Sequence, residues 1–267
     1  MRPFVPTCLV ALLCIGAAET RASCGASFCA VNLSPARAAD TDNRFDMRFE
    51  YINQDQPRVG RRKADVGEVR GHHDEVRTIN RNLVASFDFP LSADWALSVQ
   101  LPFVSRVHRH IHHHHGAQLL EAWDIDTIGD ARVLGRRRLA GPDNTGWTLT
   151  AGVKLATGSF DESNAADQAA ERSLQPGSGT TDAIVGARYD AATTWGGAAL
   201  RGFASVQLQT PLRERDQYRP GAQYSVDVGA DYAFTPTWKG LLQINGQIKQ
   251  RDRGADAEPD TTGGSFA

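Results

Sequence analysis

The pattern that most constrains the fold of this chain is an alternation of apolar and polar residues with a period of two, which recurs from residue 43 onward. Successive side chains of a β-strand point to opposite faces, so the pattern predicts strands with one apolar and one polar face. It is clearest after Tyr224, where Val226 and Val228 alternate with Ser225 and Asp227. Nine segments show it, and we therefore expect an all-β chain with at least nine strands.

The connections between these segments alternate in length. Long connections are expected near residues 53–77, 106–125, 158–181 and 211–222. Short connections, which contain turn-forming residues, are expected near residues 90–94, 140–146, 191–197 and 235–237. One short-turn end and one long-loop end are typical of outer-membrane proteins, so we predict an up-and-down antiparallel transmembrane β-barrel.

The placement of tryptophan agrees with a barrel. Trp95, Trp147, Trp195 and Trp238 adjoin the expected short turns, and Trp123 closes a long connection. Amphipathic rings of this kind form girdles at the two membrane interfaces. A soluble β-sandwich would also alternate, but it would not need end-placed tryptophans, alternating loop lengths and a secretion signal together.

The polar strand faces are expected to line the inside of the barrel, because charges facing lipid would be prohibitive. The predicted lumen-lining residues are Arg48, Glu50, Asp88, Gln100, Lys154, Arg188, Arg201, Gln207, Asp227, Asp231, Gln243 and Lys249. Both signs of charge occur, so no strong ion selectivity follows. The expected partners are outer-membrane lipid and a small-molecule solute. Nucleic acid is excluded because the net charge of -2 gives no basic field.

The N-terminus predicts secretion. A basic start, an apolar run to Ala18 and small residues near Ala22 are typical of a signal peptide, which we place at residues 1–22. We assign residues 23–42 to a periplasmic segment with a cysteine pair and residues 43–267 to the barrel. The expected location is the outer membrane of a Gram-negative-type cell.

The number of alternating segments raises a further expectation. Bacterial barrels usually have an even number of strands, and nine is odd. No alternating segment that ends in an aromatic residue follows the ninth one. We therefore expect that C-terminal strands are missing from the chain.

Histidine is concentrated in the first two long connections. The chain has eight histidines: His72, His73, His108, His110, His112, His113, His114 and His115. Neutral imidazole is a common ligand for zinc, copper and nickel, so these residues are a hypothetical metal site on external loops, although no cofactor is required. The alternatives are a solvated loop with no specific role and a response to pH.

Enzyme motifs are absent: the sequence has no His-Glu-x-x-His, no Gly-x-Ser-x-Gly and no P-loop. We therefore expect a protein that is not an enzyme. The first functional hypothesis is an outer-membrane channel for small solutes. The second is a metal-binding or structural surface barrel without transport, and the third is a soluble periplasmic ligand-binding barrel.

Several segments resemble the outer-membrane proteins grouped as the "meta-pathway of phenol degradation" family. They are Cys24–Asn32, Gly71–Asn80, Leu101–Ser105, Gly129–Gly135 and Gly152–Gly158, so the resemblance extends over roughly residues 24–250. It implies a transporter-like membrane barrel, sometimes linked to the passage of aromatic compounds. The chain departs from that family in lacking closing strands.

We predict a disulfide between Cys24 and Cys29, the two cysteines that remain after removal of the signal peptide. Both would enter an oxidising compartment, where a close pair favours a disulfide over half of a metal site. The measurement is a count of free thiols in the mature protein under denaturing, non-reducing conditions. We expect none, and a count of two would contradict the prediction.

Overall fold

The computed structural model describes residues 42–55, 58–59, 62–63, 65–66, 68, 73–114, 117–141, 145–235, 237–255 and 264–266. The predicted signal peptide and the cysteine pair therefore lie outside the described residues. His72 lies outside them too. The described part is mainly antiparallel strand, with a short 3-10 turn at Arg172–Leu174. No helix within it is long and apolar enough to cross a membrane.

The strands, in chain order, are β1 (Arg44–Gln54), β2 (Arg58–Val59), β3 (Arg62–Lys63), β4 (His73–Pro90), β5 (Trp95–His114), β6 (Ala117–Ile128), β7 (Arg132–Ala140), β8 (Gly146–Lys154), β9 (Asp182–Trp195), β10 (Ala198–Pro211), β11 (Tyr218–Arg219), β12 (Gln223–Ala233), β13 (Lys239–Lys249), β14 (Arg253–Gly254) and β15 (Gly264–Phe266).

The described strands form one large antiparallel sheet in the order β1-β4-β5-β7-β8-β9-β10-β12-β13-β15. The C-terminal half of β5, from Phe103, pairs with β6, and its N-terminal half, up to Gln100, pairs with β7. β6 and β7 are therefore two parts of one strand that is interrupted at residues 129–131. Counted in this way, the sheet contains the nine predicted meander strands and the short β15. The predicted fold class is confirmed. Two small sheets, β2-β3 and β11-β14, lie in the long connections.

The two faces of the sheet are inverted relative to a soluble protein. Outward apolar side chains such as Val228 and Ile244 are 53% and 71% exposed, whereas the neighbouring Asp227 is 4% exposed. Polar side chains are enclosed because the sheet curls toward them. The four tryptophans that are predicted to adjoin the short turns are exposed: Trp95, Trp147, Trp195 and Trp238.

One short turn is dictated by glycine. Gly196 and Gly197 connect β9 to β10 as a two-residue hairpin, and their φ angles are 58° and 79°. A hairpin turn of this length that matches the strand twist needs positive φ at both central residues, which glycine adopts at low cost.

The second long connection is predicted wrongly. Residues 106–114 and 117–125 are strand, because β5 continues to His114 and β6 begins at Ala117. The alternation persists through the histidine tract, and the inward His108 and His110 are buried with Trp123. Trp123 is therefore an internal residue and no member of a membrane girdle. The first long connection is also shorter than expected, since β4 begins at His73.

The inversion of the faces can be tested in the middle of β12. Val228→Arg places a charge in the apolar band, and we expect it to cost about 2–4 kcal/mol of folding free energy in lipid vesicles. Asp227→Asn is the matched neighbour on the enclosed face; it keeps an acceptor for the Ser205 hydroxyl, now 2.9 Å away, and should have a smaller effect. Urea unfolding monitored by heat-modifiable gel mobility measures both. Equal effects would contradict the assignment of the two faces.

Candidate functional site

The connection between β8 and β9, residues 155–181, folds across the enclosed face of the sheet; we call it the inner loop. Its residues Ala170 and Leu174 are buried and pack with Trp123 and Ile125 of β6. These four side chains form an apolar cluster within an otherwise polar interior. The inner loop therefore narrows the lumen from within.

The base of the inner loop is held by Asp130, in the break between β6 and β7. One carboxylate oxygen accepts the backbone N–H of Gly158 at 3.0 Å. The other accepts the backbone N–H and the hydroxyl of Ser178, both at 2.9 Å. Lys154 Nζ lies 2.9 Å from the same oxygen. A single carboxylate thus joins the two ends of the loop to the barrel wall.

Three glycines allow this close approach. A Cβ on Gly177 would lie 2.4 Å from the carbonyl oxygen of Gly158, and one on Gly158 would lie 2.8 Å from the carbonyl carbon of Gly129. Atoms of a real side chain do not come so close, so the three backbones can meet only where Cβ is absent. The glycines of the segments near 129, 158 and 177 therefore have a packing role.

The far side of the inner loop is held by β5 and β6. Arg106 donates from Nε to Asn80 Oδ1 at 2.7 Å and from Nη1 to the carbonyl oxygen of Leu174. Trp123 Nε1 donates to the carbonyl oxygen of Gln168 at 3.0 Å. The amide of Gln168 in turn donates to Glu121 Oε1 at 2.9 Å.

The inward histidines form a hydrogen-bonded chain beside this contact. Thr78 Oγ1 lies 2.7 Å from His108 Nδ1, and His108 Nε2 lies 3.1 Å from His110 Nδ1. His110 Nε2 lies 2.9 Å from Glu121 Oε2, and His112 Nδ1 lies 3.5 Å from Glu121 Oε1. The chain satisfies imidazoles that would otherwise be buried without partners.

The ionisation of Glu121 fits this arrangement. Glu121 lies opposite His110, at a level of β5 and β6 where the outward residues Arg109, Asp124 and Asp126 are charged and exposed, and so outside the membrane-spanning part. Burial raises the pKa of its carboxyl, but hydrogen bonds and charge from His110 and the amide of Gln168 outweigh burial and hold the pKa below its usual value. Glu121 is therefore an ionised acceptor.

The histidines are distributed differently from the sequence-based hypothesis. His73 opens β4 opposite His112, and His113 and His114 continue β5, whereas His72 and His115 lie outside the described residues. Among the described side chains, no group of three or more His, Cys, Asp or Glu residues is arranged to hold a metal ion. Binding of zinc, copper or nickel stays a prediction.

Beneath the inner loop, a cavity of about 90 Å³ is lined by charged and amide side chains from both the loop and the wall. Its charged residues are Asp130, Arg132, Lys154, Arg172, Asp182 and Lys249, and its glutamines are Gln175, Gln209, Gln223 and Gln247. Cations outnumber carboxylates in this lining, four to two.

Most of these charges are balanced within the wall. Lys154 Nζ lies 3.1 Å from Asp182 in addition to its contact with Asp130, and Lys249 Nζ lies 2.9 Å from Asp252. Arg172 is held differently: it donates to the carbonyl oxygen of Phe160 at 3.2 Å, and its guanidinium lies 5.6 Å from the centre of the Tyr218 ring.

Other predicted lumen residues are paired along the strands below the cavity. Arg48 lies 2.8 Å from Glu50, and Arg188 lies 2.9 Å from Asp190. Asp88 accepts Arg136 at 3.0 Å. The remaining predicted residues on the enclosed face are half-buried: Gln100, Arg201, Gln207, Asp231 and Gln243.

Sequence reasoning missed several residues of this site. Arg106, Arg132 and Arg136 continue the inward alternation of β5 and β7, so a longer reading of the pattern would have found them. Tyr218 and Asp252 lie in long connections, and no period marks them. They meet because the Tyr218 hydroxyl donates to Asp252 at 2.6 Å, and burial raises the pKa of Tyr218.

No family model and no curated protein matches the sequence. Among solved structures, the fold is similar to an outer membrane channel of the COG4313 group from Pseudomonas putida F1, with a TM-score of 0.55 and 11% sequence identity. The match covers 85% of this chain and 81% of that one. At this identity the likeness shows the fold alone, that of an outer-membrane barrel, and the resemblance to the meta-pathway family stays a prediction.

The role of Asp130 can be tested by Asp130→Asn. The change removes a buried charge that binds Lys154 and both ends of the inner loop, and we expect the loop to lose about 3 kcal/mol of local stability. Cleavage by chymotrypsin after Phe160 or Leu174 should then accelerate about 100-fold, since each 1.4 kcal/mol is a factor of ten.

The matched control is Asp161→Asn, in the same loop, where the carboxylate is exposed and accepts only the Ser159 hydroxyl among the described contacts. Its cleavage rate should stay near that of the unmodified protein. Similar rates for the two variants would show that Asp130 does not hold the loop.

Proposed function

We propose that this protein is an outer-membrane channel for small polar solutes, secreted through its predicted signal peptide and embedded in lipid by its outward apolar face. The observation that carries the proposal is the inversion of the strand faces. Charged side chains are enclosed, while large apolar side chains such as Phe49 and Ile244 are exposed on the outer face of the described strands. A water-soluble protein would not leave such a surface uncovered, whereas lipid requires it.

The enclosed face supports passage of water and polar solutes. Ion pairs such as Arg136–Asp88 and Arg188–Asp190 keep the wall polar without a strong net field. A wall of this kind offers hydrogen bonds to a solute at many positions and holds it tightly at none, which conduction requires. The inner loop and the cavity under it form the narrow part of the proposed path.

The sequence resemblance adds aromatic compounds to the proposed solutes. The cavity lining is polar, so an aromatic solute would need a polar substituent to enter it. Tyr218, which lines the cavity beside Arg172, is the aromatic residue that would contact such a solute. We therefore propose hydroxylated or carboxylated aromatics, and not plain hydrocarbons, as the aromatic class.

A barrel without transport is the second candidate, and the inner loop is the observation that favours it. The loop buries Leu174 and Ala170 against the wall, as a permanent plug would. The histidines of β5 would then matter as a surface or metal-binding feature. A soluble periplasmic ligand-binding barrel is disfavoured, because it would enclose the apolar faces instead of exposing them.

The experiment is solute flux into proteoliposomes that contain the refolded, heat-modifiable protein. We expect small polar solutes such as arabinose and 4-hydroxybenzoate to enter, and the trisaccharide raffinose to be excluded by the inner loop. Vesicles with Asp227→Asn protein, changed on the enclosed face but able to assemble, should retain flux. Correctly inserted protein that passes none of the three solutes would favour the barrel without transport.

A further inference from the structure

The most unusual group in the interior is the guanidinium of Arg106. It lies on the enclosed face of β5 under the inner loop and is 1% exposed. Its partners are neutral: the amide oxygen of Asn80 and the carbonyl oxygen of Leu174. Nη2 is buried and has no hydrogen-bond partner within the described structure.

This environment is unfavourable for a charge. Other wall cations, such as Arg136, Arg188 and Lys154, have a carboxylate within 3.1 Å. Among the described side chains, no carboxylate lies within ion-pair distance of Arg106. A buried cation without a counter-charge is costly, and a buried unsatisfied donor adds to that cost. The seated loop therefore covers a group that an anion would satisfy better.

The geometry of Arg106 indicates which anion. The fork of Nη1 and Nη2 matches the two oxygens of a carboxylate, and such bidentate pairs are among the strongest hydrogen-bonded contacts. The Leu174 carbonyl occupies Nη1 alone. A solute carboxylate that reached Arg106 would replace one neutral acceptor with two charged ones.

Residues 162–175 of the inner loop are joined to one another by hydrogen bonds, so this segment can move as a unit. Gln175 joins the loop to itself: its Nε2 donates to the carbonyl oxygens of Ala170 and Glu162, and its Oε1 accepts the N–H of Glu162. The base of the loop is fixed separately by Asp130. Residues 162–175 can therefore lift from β5 and β6 while the base and these hydrogen bonds of Gln175 are kept.

We propose that Arg106 is a carboxylate-binding residue of the solute path, covered in this conformation by the inner loop, and that a carboxylate solute displaces Leu174 from it and lifts residues 162–175. The proposal rests on the proposed channel function and names a solute class for it. No covalent change is involved: the solute exchanges one hydrogen-bond acceptor for another at the guanidinium.

The first test measures the loop directly. In a variant whose native cysteines are replaced by serine, Ala170→Cys reports the lifted state because Ala170 is buried against Trp123. Ala166→Cys, at an exposed position of the same loop, corrects for thiol reactivity. At pH 7.4 we expect succinate to raise the ratio of maleimide labelling at 170 to that at 166 by about tenfold, the equivalent of one charge-assisted hydrogen bond.

Matched additives separate the chemistry of the ligand from general effects. Erythritol, a neutral solute of similar size, and sodium chloride at equal ionic strength should leave the ratio unchanged. Phosphate tests whether any oxyanion acts: an effect equal to that of succinate would overturn the restriction to carboxylates. A rise with sodium chloride equal to that with succinate would show a screening effect and would overturn the site.

Substitutions at position 106 complete the test. Arg106→Gln keeps one donor for Leu174 but removes the charge and the fork, so succinate should no longer raise the ratio. Arg106→Lys keeps the charge and should restore part of the effect. Arg109→Gln, on the outward and exposed side of β5, is the control for a lost charge and should behave as the unmodified protein.

Flux distinguishes failure of this proposal from failure of the channel function. If the channel and the site both exist, Arg106→Gln lowers the flux of succinate relative to erythritol several-fold. A second outcome is that both solutes pass, while Arg106→Gln changes neither the ratio of their fluxes nor the labelling. Arg106 is then not a solute site, although the protein is a channel. If neither solute passes through inserted protein, the channel function itself fails.

Discussion

The interior of this protein depends on the pairing of charges that the curled sheet encloses. Alternation places a charged side chain inward at many positions, and each would be costly if left without a partner. The wall meets this constraint with short ion pairs: Arg136 with Asp88, Arg188 with Asp190, and Lys154 between two aspartates. Because partners lie on the same strand, on adjacent strands or, for Arg136 and Asp88, on strands separated by β5, the register of the meander and the pairing of charges support each other.

The inner loop follows from the same constraint. Lys154 at the end of β8 brings Asp130 and Asp182 together, and Asp130 then has capacity to bind both ends of the loop. The glycines at 129, 158 and 177 permit the backbones to meet there. The position of the loop in the lumen is therefore fixed by a charged residue of the wall, while the contacts of its far side are neutral around Arg106. The base of the loop is therefore held by charge, and its contacts around Arg106 are neutral.

The sequence located the individual wall residues better than it located the site. Arg188, Lys154 and Asp227 follow from the alternation, since a period of two assigns each side chain to a face. The histidine tract shows the limit of this approach: the spacing of the alternating segments predicts a loop at His108 and His110, although the alternation continues through them. Asp252, buried under the Tyr218 hydroxyl, carries no periodic signal and depends on two long connections that meet in space.

The sequence by itself determined the fold class, the meander and the face of each strand residue, because these properties depend on local alternation and on the length of each connection. The tertiary structure decided which charges meet, that β5 continues to His114 and pairs with β6 from Ala117, and that residues 155–181 fold inward. These properties depend on contacts between residues far apart in the chain, such as Arg106 with Leu174 and Asp130 with Ser178. No local pattern encodes such contacts, because their energy arises only when the curled sheet brings the partners together.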